Sequence, residues 1–137
     1  MEFLVMEKLV LASVLGMFIG LERHLKKKPA GMRTHSLVAL GTCIFTVIGM
    51  DILGDGSAEI PARIIPGIIT GIGFLGAGLI FQGKEHGGGL TTAIEIWTLA
   101  GIGILVGLGS YLIAVLATLL ILVILAPLRL IEEKIGS

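Results

Sequence analysis

The chain has 137 residues with ten basic and ten acidic side chains; 55% of it is hydrophobic, 15% charged, and its mean hydropathy is +1.03. A single domain of this length has too little interior to hide so many apolar side chains, so the composition excludes an ordinary water-soluble globule and makes lipid the solvent. Zero net charge without aromatics interleaved among Arg and Lys excludes a nucleic-acid-binding platform, and the lone Cys43 excludes an intrachain disulfide.

The chain opens with MEFLVMEK, which has no net positive charge, and no small-residue cleavage site follows the apolar run. A retained helix is therefore expected, not a signal peptide. Leu9–Leu21 supplies only 13 uncharged residues, so span one reaches back to cover about 3–21, with Glu7 and Lys8 near the headgroups. The connector after it, LERHLKKKPAGMRTH, ends in a Pro-Ala-Gly turn. Span two takes about 34–50, and the loop DILGDGSAEIPAR follows. Span three takes 64–83, with Pro66 placed at its start. From Ile96 to Leu128 there are 33 residues without a charge, about 50 Å as one helix against about 30 Å of hydrocarbon. The run must fold back, and Gly107-Leu108-Gly109-Ser110 is the break. Spans four and five are then 90–108 and 111–128.

Basic residues decide the direction. Short cytoplasmic connectors collect Lys and Arg. Arg23, Lys26, Lys27, Lys28 and Arg33 follow span one, Lys84 follows span three, and Arg129 and Lys134 follow span five. Eight of the ten basic residues thus fall on one side if five spans alternate. The expectation is an all-α polytopic membrane protein, a single domain over residues 1–137 built as a compact bundle of five transmembrane helices. Its amino terminus is outside, its carboxyl terminus is inside, and no soluble domain follows the bundle.

Glu95 is the sharpest chemical feature. A carboxylate inside a span costs about 2.5 kcal/mol or more on insertion scales and normally faces a bundle interior or a cavity. Thr91 and Thr98 lie one turn away on either side, and span two carries Thr42 and Thr46 one turn apart. One reading makes these a cation or proton site with Arg23 or Arg33 as counter-charge; the other makes Glu95 a paired or protonated residue that fastens helices. Glu22-Arg23 closes span one, and Arg33-Thr34-His35 opens span two after Pro29 and Gly31. The plainer reading is a Glu22–Arg33 clamp across the turn. The alternative is the inner mouth of a polar cavity shared with Glu95, with His35 able to titrate near neutral pH. Asp51 and Asp55 make the outer loop acidic. Most such loops are simply solvated, but one or two carboxylates suffice for a hydrated Mg²⁺, the one metal the sequence leaves open.

The glycines invite a false reading. Gly71-Ile-Gly73-Phe-Leu-Gly76 satisfies GxGxxG, yet it lies inside an apolar span, where no strand precedes it. Gly16 and Gly20, Gly67 and Gly71, Gly73 and Ala77, with Gly76 and Gly78, read instead as small-residue faces for helix packing. A broken helix lining a solute path is the runner-up. No GxSxG, HExxH, phosphate loop or Cys/His ligand spacing is present, so no enzymatic activity and no resident cofactor are expected. Short helices with a polar face commonly bury it by self-association, and a homodimer is expected.

Two blocks carry a family resemblance. GLERHLKKKPAGMRTHSLVALG resembles the hallmark of the MgtC/SapB family of small bacterial membrane proteins, and GIGFLGAGLIFQGKEHGGGLTTAIEIW is similar to its second block. Together they cover about a third of the chain in the family's order. The resemblance implies an inner-membrane protein associated with magnesium limitation, acid stress or survival inside host cells. It leaves open direct Mg²⁺ transport and regulation of other membrane machinery, ATP synthase included. Glu95 stands where the family pattern usually has a small or hydroxyl residue, so no family role passes to it. Two functions result: a regulator that binds another membrane complex, which is preferred because five short spans leave little room for a gated route, and a transporter or channel with a polar path through Glu95.

Overall fold

A computed structural model of the chain describes residues 2–53, 59–82 and 89–136. The described residues form six helices and no strand: α1 (Glu2–Leu25), α2 (Met32–Leu53), α3 (Glu59–Gln82), α4 (Gly89–Gly107), α5 (Tyr111–Leu125) and α6 (Pro127–Ile135). The first four are each long and apolar enough to cross a membrane. α5 is equally apolar but has 15 residues, about 22 Å at 1.5 Å per residue.

Several helix ends differ from the sequence expectation by up to five residues, and proline explains two of them. Span five was expected to run to Leu128, but α5 ends at Leu125. Pro127 brings no N–H to the ladder, and its ring would strike the carbonyl a turn earlier. It therefore opens a new helix, α6, whose sequence PLRLIEEKI is amphipathic. Span three was expected to start near Pro66; α3 starts at Glu59 and runs through it. Pro61 sits in the first turn, where the N–H groups have no partner anyway, and one missing bond at Pro66 is tolerated inside an otherwise intact apolar helix.

Both short turns close by the same device. After α1, Lys27 N–H donates to the His24 carbonyl and Lys28 N–H to that of Arg23, with Lys27 at φ 52°. After α4, Gly109 and Ser110 donate likewise to Val106 and Leu105, with Gly109 at φ 84°. This pattern of a six-to-one and a five-to-two bond satisfies the last carbonyls of a helix and needs a left-handed residue at its corner. Glycine fills that corner after α4, and a lysine fills it after α1.

α4 is the central helix, touching α1, α2, α3 and α5. It buries two faces. Leu99, Ile102 and Val106 pack with Ala12, Leu15 and Ile19 of α1, Ala39 and Cys43 of α2, and Ala114 of α5. Ile96, Ala100 and Ile104 pack with Ile68 and Ile72 of α3. The exterior is apolar, with Phe74 80% and Leu112 73% exposed, whereas Arg23, His35 and Glu95 lie inside. That inversion of the water-soluble pattern is what a lipid solvent selects.

Close approach depends on four glycines. A Cβ on Gly16 would come within 2.6 Å of the His35 carbonyl oxygen, and one on Gly20 within 2.6 Å of the Met32 Cα. On α4, a Cβ on Gly103 would collide with the Thr42 hydroxyl and the Ala39 carbonyl, and one on Gly107 would approach Thr46 Cβ to 2.6 Å. Each pair is spaced four residues apart, so α2 lies between a glycine stripe on α1 and another on α4. At the opposite end from the lysine turn, Lys8 Nζ donates to the Gly107 carbonyl at 2.7 Å, capping α4 with a cation at the negative end of its dipole.

Candidate functional site

The glycine stripe of α1 positions the site. Gly16 and Gly20 let the first turn of α2 settle against α1, which brings His35 inward. Arg23 continues the buried stripe of Ala12, Ile19 and Gly16 at helical spacing and so projects from α1 into the same space. Glu95 arrives from α4, about 9 Å into that helix from Gly89 at 1.5 Å per residue. Three helices thus converge on one carboxylate.

Arg23 Nε lies 2.8 Å from Glu95 Oε2. The Nε–H does not point along this contact, so it is a charge contact and not an aligned hydrogen bond. A second guanidinium nitrogen donates to Thr92 Oγ1 at 3.1 Å. His35 Nε2 lies 3.1 Å from Glu95 Oε1, and its Nδ1 lies 3.0 Å from the Gly31 carbonyl, which also accepts the His35 backbone N–H. Arg23 and Glu95 are each 4% exposed and His35 is fully buried. Desolvating such ions costs several kcal/mol apiece, which only close pairing and added hydrogen bonds offset.

The sequence candidates separate into those this cluster gathers and those it does not. Glu95, Arg23 and His35 meet. Arg33 and Thr34 are exposed, and the Glu22–Arg33 clamp is not formed: both Glu22 carboxylate oxygens are buried without a hydrogen-bond partner. Helix phase explains this, since Arg33 starts α2 on its outer face, two residues before His35. Pro29 is exposed in the turn, and Gly31 contributes its carbonyl. Thr91 and Thr98 are exposed, and Thr98 donates back to the Ile94 carbonyl. Thr42 and Thr46 are buried but donate within α2, to Val38, Ala39 and Thr42 carbonyls. The proposed threonine stripe therefore does not extend the Glu95 site.

On α3, Gly67, Gly71, Gly73 and Gly78 have nothing within 4 Å of a built Cβ, so these are not packing glycines within the chain, and Ala77 is exposed. Gly76 makes ordinary contact with Ala93 at 3.7 Å. Asp51 is exposed at the end of α2, and Asp55 lies outside the described residues. Among the described residues no three His, Cys, Asp or Glu side chains converge as a metal-binding group.

Sequence reasoning missed Thr92, Gly103 and Gly107. The signal was available: Thr92, Glu95, Leu99, Ile102 and Val106 repeat at alternating three- and four-residue steps, the inward stripe of α4. Open grooves lie between α2 and α3, one of about 640 Å³ beside Thr42, Phe45, Arg63 and Gly71, another of about 440 Å³ beside Val38, Phe74 and Gly78. A third, of about 720 Å³, lies between α1 and α2 near Met6 and Met50. None of the three is lined by Arg23, His35 or Glu95.

Residues 9–134 match the model of the MgtC family. An uncharacterized protein of Haemophilus influenzae is 43% identical over 129 residues, covering 89% of this chain and 54% of its own length. The protein MgtC of Salmonella typhimurium is 42% identical over 129 residues, with 94% of this chain and 54% of that protein covered. The protein SrpB of Synechococcus elongatus is 38% identical over 137 residues, covering 92% and 75% respectively. The chain thus spans about half the length of the first two relatives. No solved structure matches it.

Proposed function

Because the chain belongs to the MgtC family, we propose that it is a regulatory protein of bacterial magnesium and stress homeostasis, resident in the inner membrane, that acts by docking on another integral membrane protein. Its lysine-rich turn faces the cytoplasm, following the bias of eight basic residues to one side. The observation that carries a regulator over a cation path is the occupation of Glu95. Its two oxygens face the Arg23 guanidinium and the His35 ring, in a site that is 4% exposed. A cation arriving there finds a guanidinium already against the carboxylate.

The docking face belongs to α3. Among the described residues its fully buried stripe is Ile68, Ile72 and Gly76, with Ile64, Ile65 and Leu79 partly buried beside it, while Gly67, Gly71, Phe74 and Gly78 turn outward. Open glycines let another helix approach closely, the usual basis of association in lipid, where no hydrophobic force separates helix from tail. A second copy of the chain and a larger complex, with ATP synthase a candidate through the family resemblance, both present such helices.

The test is growth of a strain lacking the protein in magnesium-poor medium, complemented with the full chain carrying Gly71→Leu or Gly78→Leu. Both positions are open, so the fold is spared. Loss of growth support at normal protein level and helicity is expected. Full support from both variants would remove the α3 docking face.

A further inference from the structure

The hydrogen-bond inventory of His35 does not close with a neutral ring and an ionised Glu95. Nδ1 lies 3.0 Å from the Gly31 carbonyl oxygen and Nε2 lies 3.1 Å from Glu95 Oε1. Carbonyl and carboxylate oxygens only accept, and a neutral imidazole carries one N–H, so either tautomer leaves a nitrogen lone pair facing an oxygen lone pair. Full burial of the ring makes that mismatch costly.

We propose that the cluster is a proton-binding site, in which His35 and Glu95 share one proton beyond the single proton of a neutral ring. The proton resides on Nε2, giving imidazolium and carboxylate, or on Oε1, giving imidazole and carboxylic acid. It comes from water and returns to water, with no other bond made or broken. Nδ1–H then donates to Gly31 in both forms.

Among the described residues no other titratable side chain makes an ion pair or hydrogen bond with Arg23, His35 or Glu95. His24 and Arg33 are exposed, as is Lys134 on α6; Glu59 and Arg63 of α3 and Tyr111 of α5 lie at the opposite ends of their helices. The site stands whether the chain regulates a partner or conducts an ion.

The test uses the full chain in lipid at neutral pH with His24→Gln and His86→Gln, which leaves His35 the sole histidine. Nitrogen-15 NMR of labelled histidine, with infrared difference spectra against Glu95→Gln, reads both partners. Expected is either a ring protonated on both nitrogens, or an Nδ1–H ring with a carboxylic acid band that Glu95→Gln removes. If Glu95→Gln fails to fold, the nitrogen spectrum is read with the carboxyl infrared bands of the unsubstituted protein: a doubly protonated ring, or an Nδ1–H ring beside a carboxylic acid, supports the site. A neutral ring in either tautomer, beside an ionised Glu95, overturns it.

Discussion

Consider Arg23→Met, which keeps the length of the side chain and removes its charge. In the native bundle Arg23 Nε lies 2.8 Å from Glu95 Oε2, and the guanidinium also donates to Thr92. After the substitution Glu95 keeps only His35, in a site where it is 4% exposed. Removing one partner of a buried charge pair costs about 3–5 kcal/mol, and Glu95→Leu strands the guanidinium at a similar cost. The double variant Arg23→Met with Glu95→Leu removes both charges and leaves apolar side chains of comparable volume. What it still loses is a donor for Thr92 and an acceptor for His35, about 1–3 kcal/mol of unmet polar groups. The double variant is therefore more stable than either single one, with a coupling energy of at least about 3 kcal/mol in a double-mutant cycle. The assay is reversible unfolding in mixed detergent micelles, followed by far-ultraviolet circular dichroism and the fluorescence of Trp97. Single costs below about 1 kcal/mol that simply add, as for an exposed ion pair, would refute the reasoning.

Gly103→Ala and Gly71→Ala should move stability in opposite directions in the same unfolding assay. The first drives a methyl group into the Thr42 hydroxyl and the Ala39 carbonyl, an overpacking cost of about 1–3 kcal/mol; the second meets nothing within 4 Å and gains up to about 1 kcal/mol of helix propensity. Lys8→Met removes the donor to the Gly107 carbonyl and should cost about 1–2 kcal/mol, with faster amide exchange confined to the last turn of α4. Ala30 sits at φ 53°, so Ala30→Gly should stabilise by about 0.5–1 kcal/mol, the relief of left-handed strain exceeding the added freedom of the unfolded chain.

Most of the fold could be read from hydropathy because lipid imposes a length. Four helices match their expected spans to within several residues, and the turn at Gly109 fell where two glycines interrupt a run too long for one crossing. The misplacements came from proline, whose effect depends on position: Pro61 and Pro66 sit within α3, whereas Pro127 divides α5 from α6. The site was only partly legible. Glu95 stood out as a lone intramembrane charge, and Arg23 was one of two counter-charges considered. Choosing between Arg23 and Arg33, or Thr92 and Thr91, requires helix phase, since neighbours in sequence project about 100° apart around a helix. The glycines of α3 show a further limit. Spacing identifies a face on which a helix can approach, but among the described residues nothing lies within 4 Å of a Cβ built on Gly67, Gly71 or Gly78.

The central claim is that Arg23, His35 and Glu95 form a closed internal tie, with the chain acting through its outer surface. The most direct measurement is flux through purified protein in liposomes carrying internal magnesium and pH indicators, under imposed magnesium, pH and voltage gradients. Signals at the level of empty liposomes, unchanged by Glu95→Gln, are predicted. A magnesium or proton flux that Glu95→Gln abolishes, while the protein remains folded, would contradict the account.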